Sequence, residues 1–466
     1  MSILLADISK YLPIEDSANY RGLNKILFED LNRTCVVIDD DPTGNQTVHD
    51  IPLLTTWDLD TLIQEFENKT PVFFLLTNSR SLSQEKSTGI FHEITRNILK
   101  ASEYTNREFT IISRSDSTLR GHFSEIETVK EAKDSENDIT FFIPVMFEGG
   151  RVTVNDVHYI SENEKLIPVN QTSFSQDHTF AYSNANLKEY IQERTQGKVS
   201  VSTIFSFDLD AIRTLDVENL SEQINDLKPG QYAVTNALNY NDLDKFCNAL
   251  LLAEKSGKSI LYRTSSSFVP SYIGIKPRGL LKVESIINTK SETGGITIVG
   301  SYVSKSSKQL NCALKHYEEN SIVEVNVETI LGGGAKLYLA TIITKIDEKL
   351  ASGNDVILYT SRKLVTGTSA NSNIDIAATI SSALVHLVKG ITVRPKYIVA
   401  KGGITSHDLA KEGLGMKRSM VLGQILPGIP VWKMGEETKF PNLSYIVFPG
   451  NVGDEKSLLT ITQKLS

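Results

Sequence analysis

Three short stretches gather residues able to grip a small polyhydroxylated anion. The run Ile38-Asp39-Asp40-Asp41-Pro42-Thr43-Gly44 sets three carboxylates side by side. Adjacent carboxylates repel, and burying them is costly unless a metal, a basic group or a hydroxyl-bearing ligand compensates. A solvated acidic turn would also suit Asp-Pro and Thr-Gly. However, a buried apolar strand at 35–38 leads straight into the run. The second stretch, Thr77-Asn78-Ser79-Arg80, follows a strand at 72–76. The third runs from Ser113-Arg114-Ser115-Asp116-Ser117-Thr118 through Leu119-Arg120-Gly121-His122, after a strand at 109–112. Arginine offers a planar fork that matches a carboxylate or phosphate, and Asp and Asn can hold hydroxyls. One such loop alone is ordinary helix capping. Three in succession point to a binding edge for a small polyhydroxy acid.

In the second half of the chain, glycine carries the signal. Gly300-Ser301, Lys401-Gly402-Gly403-Ile404-Thr405 and Pro449-Gly450-Asn451-Val452-Gly453 each directly follow an apolar strand. Backbone amides without an intervening Cβ can approach phosphate oxygens, and a following helix adds its partial positive charge. Tight βα turns would also favour glycine, so each is weak alone. Other candidates fail on context. Gly257-Lys258-Ser259 lacks the earlier glycine of a phosphate loop, position 252 being Leu, and it precedes a strand. Gly332-Gly333-Gly334-Ala335-Lys336 has the wrong spacing. No GxGxxG follows a strand, no GxSxG elbow is present, and His92, His122, His158 and His178 show no metal-ligand spacing.

These stretches need a scaffold that brings strand ends together. Strands at 35–38, 72–76, 109–112 and 139–144 alternate with helices at 59–66, 84–101 and 124–131. The segment 148–180 is an excursion with a hairpin near 152–160. Alternation resumes from 187 to 262, 263–280 reads as loop, and 282–295 reads as a linker. Beyond it come strands at 296–299, 322–325, 356–360, 397–400 and 445–448. Helices there fall at 307–317, 337–352, 374–387 and 408–414. This order predicts an α/β protein of two domains, 1–288 and 289–466. Each has a largely parallel sheet flanked by helices, with ligands at the carboxyl ends of the strands.

At 466 residues the chain can bury a core without disulfides. Its net charge, 48 − 56 = −8, disfavours a general nucleic-acid binder. Cys35, Cys247 and Cys312 are far apart, which suits a reducing compartment and no cysteine zinc site. No basic region leads into an apolar one in residues 1–16, and no run approaches the roughly 18 apolar residues of a membrane span. The expected location is the cytoplasm, with no membrane partner.

Taken in order, these motifs resemble the four-carbon acid sugar kinase family, which includes threonate, erythronate and 3-oxo-tetronate kinases. The resemblance runs over about 36–459. Its marks are Asp40 to Gly44, Thr77-Asn78-Ser79-Arg80, Asp116 to Gly121 and Gly150-Arg151-Val152-Thr153-Val154-Asn155. Further on come Val299-Gly300-Ser301, Lys401 to Thr405, Gly423-Gln424-Ile425-Leu426-Pro427-Gly428-Ile429-Pro430 and Gly450-Asn451-Val452-Gly453. It implies a sugar-acid-binding N-terminal domain and a nucleotide-binding C-terminal domain, with the active site in the cleft between them. It also implies ATP and Mg²⁺, and a homodimer is the family expectation. By resemblance, Asp40, Asp41, Asn78, Arg80, Arg114, Asp116, Ser117 and Arg120 line the substrate pocket. Ser301, Gly402, Gly403, Ile404, Thr405 and Gly450 contact ATP. Many family members have Ala where Asp39 stands, and Lys is frequent near Arg114.

The implied reaction is phosphorylation of a hydroxyl of a small sugar acid. Such transfer needs in-line placement and charge neutralisation more than covalent help. Arg80, Arg114 and Arg120 are the candidate clamps, with Arg120 placed at the chemistry. Asp116 and Asp41 are the leading candidates to orient the hydroxyl and accept its proton. Two rivals predict different behaviour. A nicotinamide-dependent hydroxy-acid oxidoreductase would carry a dinucleotide fingerprint, and a non-catalytic sugar-acid sensor would bind without turnover.

Overall fold

The computed structural model describes residues 3–4, 8, 10–332, 335–362 and 370–466. Residues 333 and 334 of the glycine run at 332–336, and much of the stretch 1–9, lie outside the described residues. The chain forms two compact units. One comprises Met1–Val48 with Thr56–Pro277, the other His49–Thr55 with Arg278–Ser466.

In the first unit seven parallel strands lie in the order Phe205–Phe207, Tyr232–Thr235, Ile139–Ile143, Ile260–Thr264, Phe109–Arg114, Thr34–Asp39, Val72–Leu76. Thr34–Asp39, Val72–Leu76, Ile139–Ile143 and Ile260–Thr264 are buried at every position. That is the pattern of a parallel sheet covered on both faces. The helices between them start on polar caps: Asp58 accepts from the Thr61 amide at 3.0 Å and Ser83 from the Lys86 amide at 3.4 Å. Register then does the positioning. Asp39 stands opposite both Leu76 and Arg114, and Thr264 opposite both Arg114 and Ile143. The loops after these strands therefore leave from one edge.

The excursion holds more regular structure than its sequence suggests. Arg151–Val154, Val157–Glu162 and Lys165–Pro168 form an antiparallel meander, with Ile3–Leu4 added at its edge. Both turns have paired positive-φ residues, Asn155-Asp156 and Asn163-Glu164, as two-residue hairpins require. Neither turn contains glycine, so neither carries the usual Asn-Gly or Asp-Gly hairpin signal. The segment read as loop at 263–280 is shorter. The strand Ile260–Thr264 runs through Arg263, and a short helix spans Phe268–Tyr272.

In the second unit the parallel strands lie in the order Ser444–Phe448, Ile398–Lys401, Ile296–Val299, Val356–Thr360, Ile322–Val325. Beyond Ser444–Phe448 the sheet turns antiparallel through Ile429–Met434, Arg418–Leu426 and Ile51–Leu54. Lys401 pairs with both Val299 and Phe448, so the three glycine-bearing turns share one edge. Val299, Val399, Phe448, Leu310 and Leu458 belong to its core. The helix expected at 307–317 spans Ser304–Leu314. The helix expected at 408–414 begins earlier, as Gly403–Asp408, and continues as a π turn over Leu409–Gly413. Gly402, at φ +121°, turns the strand end directly into that helix.

Candidate functional site

At the strand ends of the first unit the acidic run is neutralised by arginines. Arg114 Nη1 lies 3.0 Å from Asp39 Oδ1 and 3.5 Å from Asp40 Oδ1, and its Nη2 donates to Ser266 Oγ at 2.8 Å. Arg80 Nη2 lies 2.5 Å from Asp40 Oδ1, while its Nη1 lies 3.2 Å from Asp41 Oδ2 and 3.6 Å from Asp116 Oδ1. Arg120 Nε donates to Asp116 Oδ2 at 2.8 Å, and its Nη1 lies 3.5 Å from Asp177 Oδ2. Six of the expected residues, Asp40, Asp41, Arg80, Arg114, Asp116 and Arg120, thus fall into one ion network.

Depth divides that network. The Asp39 and Asp40 side chains have no exposed surface and Arg114 has 4 %, whereas Asp116 keeps 12 % and Asp41 22 %. Arg114, expected to line the pocket, is enclosed behind it, bound to Asp39, Asp40 and Ser266. Ser117 is buried too, its hydroxyl 3.4 Å from the Met146 sulfur. Asn78 sits at φ +52° as the cap of the turn Ser79–Ser81 that carries Arg80, a conformation Asn tolerates better than most residues. Asp39 and Arg114 are partners. The buried carboxylate faces the guanidinium that offsets it.

Titration follows this layering. Burial, with Asp40 and Asp41 alongside, pushes the Asp39 carboxyl up to about 7 against the pull of Arg114. Burial also works against the Asp116 charge, but Arg80, Arg120 and the Thr118 hydroxyl hold that carboxyl well below the usual range. For Asp41, burial is likewise outweighed by Arg80, Arg114 and the hydroxyl and amide of Thr43, so its pKa is lowered. The accessible pair is therefore ionised at neutral pH, ready to accept hydrogen bonds from hydroxyls.

Two glycines are required by this crowding. A Cβ on Gly44 would stand 2.3 Å from both Asp39 carboxylate oxygens and 2.5 Å from Arg114 Cζ. One on Gly121, at φ +113°, would stand 2.8 Å from Ser115 Oγ and 3.0 Å from Asp40 Oδ2.

Sequence reasoning missed a supporting layer. Ser115 Oγ donates to Asp40 Oδ2 at 2.8 Å and accepts from Arg263 Nη2 at 2.9 Å. Arg263 also meets Glu125 Oε2 at 2.7 Å in a buried ion pair. Arg263 falls where the sequence reads as the start of a loop, and Glu125 lies within an expected helix; the packing of the helix Ser124–Lys133 on the strand Ile260–Thr264 unites them. His158, which burial lowers to about 4, is neutral at pH 7. It bonds Ser117 O at 2.8 Å through Nε2 and Thr153 Oγ1 at 2.9 Å through Nδ1.

In the second unit the three glycine turns converge on Ser301. A Cβ on Gly402 would lie 3.1 Å from Ser301 Cβ, and one on Gly450 3.2 Å from Ser301 Oγ. Gly300 abuts Thr405, whose Oγ1 would be 2.4 Å from an added Cβ, while nothing lies within 4 Å of one on Gly403. Ser306 Oγ donates to Gly450 O at 3.0 Å. These turns edge a cleft of about 330 Å³ that includes Ser301, Gly402, Gly403, Ile404, Thr405 and Gly450. Its opposite wall went unnoticed in the sequence: Ala377, Ile380, Ser381 and Leu384, one face of the helix Ala370–Gly390. Among the described residues none that lines it is charged. Lys401 lies just beneath, fully buried, donating to Pro449 O at 2.8 Å with Nζ 3.6 Å from the Phe448 ring centroid. Burial, helped by Lys305, lowers it to about 7.

Size alone does not locate chemistry. A groove of about 510 Å³ lies at the opposite strand edge of the first unit, lined in part by Gly257, Lys258 and Ser259. There Lys258 Nζ donates to the Asn225 and Leu227 carbonyls, the work of a helix-end cap. Among the described residues no group of three or more His, Cys, Asp or Glu side chains could hold a metal. No helix among them is long and apolar enough to cross a membrane.

Two family models match the sequence: a sugar-binding N-terminal domain over residues 35–272 and a nucleotide-binding C-terminal domain over 296–458. No curated protein sequence matches the chain. The fold is similar to that of a Haemophilus influenzae protein of a domain family of unknown function. The TM-score is 0.61 at 16 % identity, covering 92 % of this chain and 99 % of that one. It is also similar to a Salmonella typhimurium LT2 protein with a provisional tRNA synthase description. There the TM-score is 0.66 at 12 % identity, covering 93 % and 100 %. At such identities the likeness speaks for the fold alone. The two matched domains cover most of the sequence and carry the ion network and the glycine-edged cleft respectively, and the chain belongs to the four-carbon acid sugar kinase family.

Proposed function

We propose that the protein uses ATP to phosphorylate a hydroxyl of a small, four-carbon sugar acid such as a threonate, erythronate or 3-oxo-tetronate. The observation that carries this reading is the pairing of two unlike sites in one chain. The sugar-binding domain holds accessible, ionised Asp41 and Asp116 among arginines, and the nucleotide-binding domain holds a glycine-edged cleft whose described lining is uncharged.

Asp41 and Asp116 hold substrate hydroxyls. Whichever faces the reacting oxygen orients it and takes its proton as the P–O bond forms. Both are weak bases in this setting, which suits a late proton transfer in a loose transition state. Arg80 and Arg120 spread positive charge toward the transferring phosphoryl, and Arg114 acts from behind by keeping Asp40 in place. In the second unit the backbone amides of the Gly402–Thr405 and Gly450 turns approach the phosphates, and the wall of Ile380 and Leu384 takes the apolar face of the nucleotide. Mg²⁺ accompanying ATP would neutralise phosphate charge, with Asp41 and Asp116 the accessible acidic side chains beside the arginines of the site. Transfer requires the phosphoryl group held by residues 289–466 to reach the hydroxyl held by residues 1–288.

Purified protein incubated with ATP, Mg²⁺ and a panel of tetronic acids should release ADP only when the right acid is present. An absorbance change with NAD(H) and no ADP would favour a hydroxy-acid oxidoreductase. Acid binding with neither signal would favour a sensor.

A further inference from the structure

Arg80, Arg114, Arg120 and Arg263 each pair with at least one carboxylate. Arg151 differs. Its Nη1 donates to the Gly149 carbonyl and its Nε is buried without a hydrogen-bond partner. No carboxylate pairs with it among the described residues. It opens the strand Arg151–Val154 directly after Gly150, whose φ is +72°. A Cβ on Gly150 would lie 2.8 Å from the Ser161 carbonyl oxygen, so this turn fixes where the Arg151 side chain starts.

The guanidinium reaches the ion network through one aromatic ring. Arg151 Cζ lies 5.9 Å from the Phe174 ring centroid, and Arg120 Cζ lies 4.9 Å from the same centroid. Phe174 comes from the turn Ser173–Gln176, immediately before Asp177, which meets Arg120. Arg120 is offset by Asp116 and Asp177; Arg151 has no counter-charge of its own. Burial works against its charge, which Asp116 and Glu162 favour from a distance. A partly buried guanidinium without a counter-ion carries a desolvation cost that an anionic ligand relieves. A sugar acid has one such group, and the carboxylates of Asp40 and Asp41 would repel it. Its hydroxyls suit the aspartates, and its carboxylate suits the other end.

We propose that Arg151, sharing the Phe174 ring with Arg120, receives the carboxylate of the sugar acid and makes the first unit select acids over neutral sugars. This rests on the sugar-acid reading of that unit.

The test is calorimetric titration of the full-length protein, without ATP, with tetronic acids and their primary amides. The wild type should bind the acid more tightly than the amide. Arg151→Gln should weaken acid binding by about tenfold or more with little change for the amide, and Arg151→Lys should retain part of the preference. Thermal melting checks that the variants fold, and Phe174→Leu serves as the second variant if Arg151→Gln does not. Acid affinity unchanged in Arg151→Gln, or a wild type that binds the amide as well as the acid or binds neither, overturns the proposal. The preference lost in Arg151→Gln without any ADP formed by the wild type would support it while removing the kinase reading. ADP formation with acid affinity intact in Arg151→Gln would do the reverse.

Discussion

Asp40 and Asp116 each meet two guanidiniums at the strand ends of the first unit, whereas among the described residues none that lines the cleft of the second unit carries a charge. Each site grows from the carboxyl edge of its own unit's parallel strands. They differ in what fills the turns. In the first unit the turns carry side chains that hold one another, so a ligand meets a preset array of donors and acceptors. In the second the turns are bare of side chains at Gly402, Gly403 and Gly450, so a ligand meets backbone and an apolar wall. The first site should thus be brittle to small changes, and the second should tolerate them structurally while losing ligand.

The sharpest test of the first half of that contrast is Asp116→Asn. It keeps the shape but removes the charge that Arg80 and Arg120 surround. Turnover should fall by roughly 10²–10⁴-fold while ATP binding, followed by calorimetry, persists. Near wild-type kcat would remove Asp116 from the chemistry.

Next comes one substitution made in both units. Gly44→Ala forces a methyl into the Asp39–Arg114 pair and should cost about 3–5 kcal/mol, as breaking a buried ion pair does. Gly403→Ala meets nothing within 4 Å and should change stability by less than about 1 kcal/mol, while its methyl intrudes on bound nucleotide. Urea denaturation of both variants compares them, and equal losses would break the contrast.

The pH dependence should also be two-sided. Asp39, raised to about 7, favours the folded state fully below the ordinary carboxylate pKa near 4, and this contribution fades as pH climbs toward 7. Asp41 and Asp116 are lowered, so their contribution is present above that ordinary pKa and is lost as pH falls below it. Asp39→Asn should therefore flatten the decline in melting temperature between about pH 4 and 7 and leave the acid limb in place. An unchanged alkaline-side slope would show that another group titrates there.

The smallest effect is expected at Ile404, which is 56 % exposed at the rim of the cleft. Ile404→Ala should leave the melting temperature within a degree or so and weaken nucleotide binding by a few-fold, read by fluorescence titration.

Much of this was legible in the sequence because the marks are local. Apolar runs announce strands, and the polar or glycine-rich residues right behind them mark the functional edge. Family motifs then fixed the order. What was not legible depends on distance or depth. Three adjacent aspartates look alike in sequence, yet Asp39 and Asp40 are sealed beneath Arg114 and Arg80 while Asp41, two residues past the strand end, keeps some exposure. Arg263 and Glu125 become partners because the helix Ser124–Lys133 packs its Glu125 against the strand Ile260–Thr264. The wall at 377–384 reads as ordinary helix, since an apolar face for a ligand has the same period as one for a core. His49–Thr55 sits in the sequence of the first unit, yet its strand pairs with Arg418–Leu426, and no local signal distinguishes that choice.

The central claim concerns where the phosphoryl group goes, so the product itself is the decisive object. Mass spectrometry of a tetronic acid incubated with the protein, ATP and Mg²⁺ should show the acid heavier by one phosphoryl group, in step with ADP, and neither product with Asp116→Asn. ADP accumulating beside an unmodified acid, across the whole tetronic panel, would contradict the account.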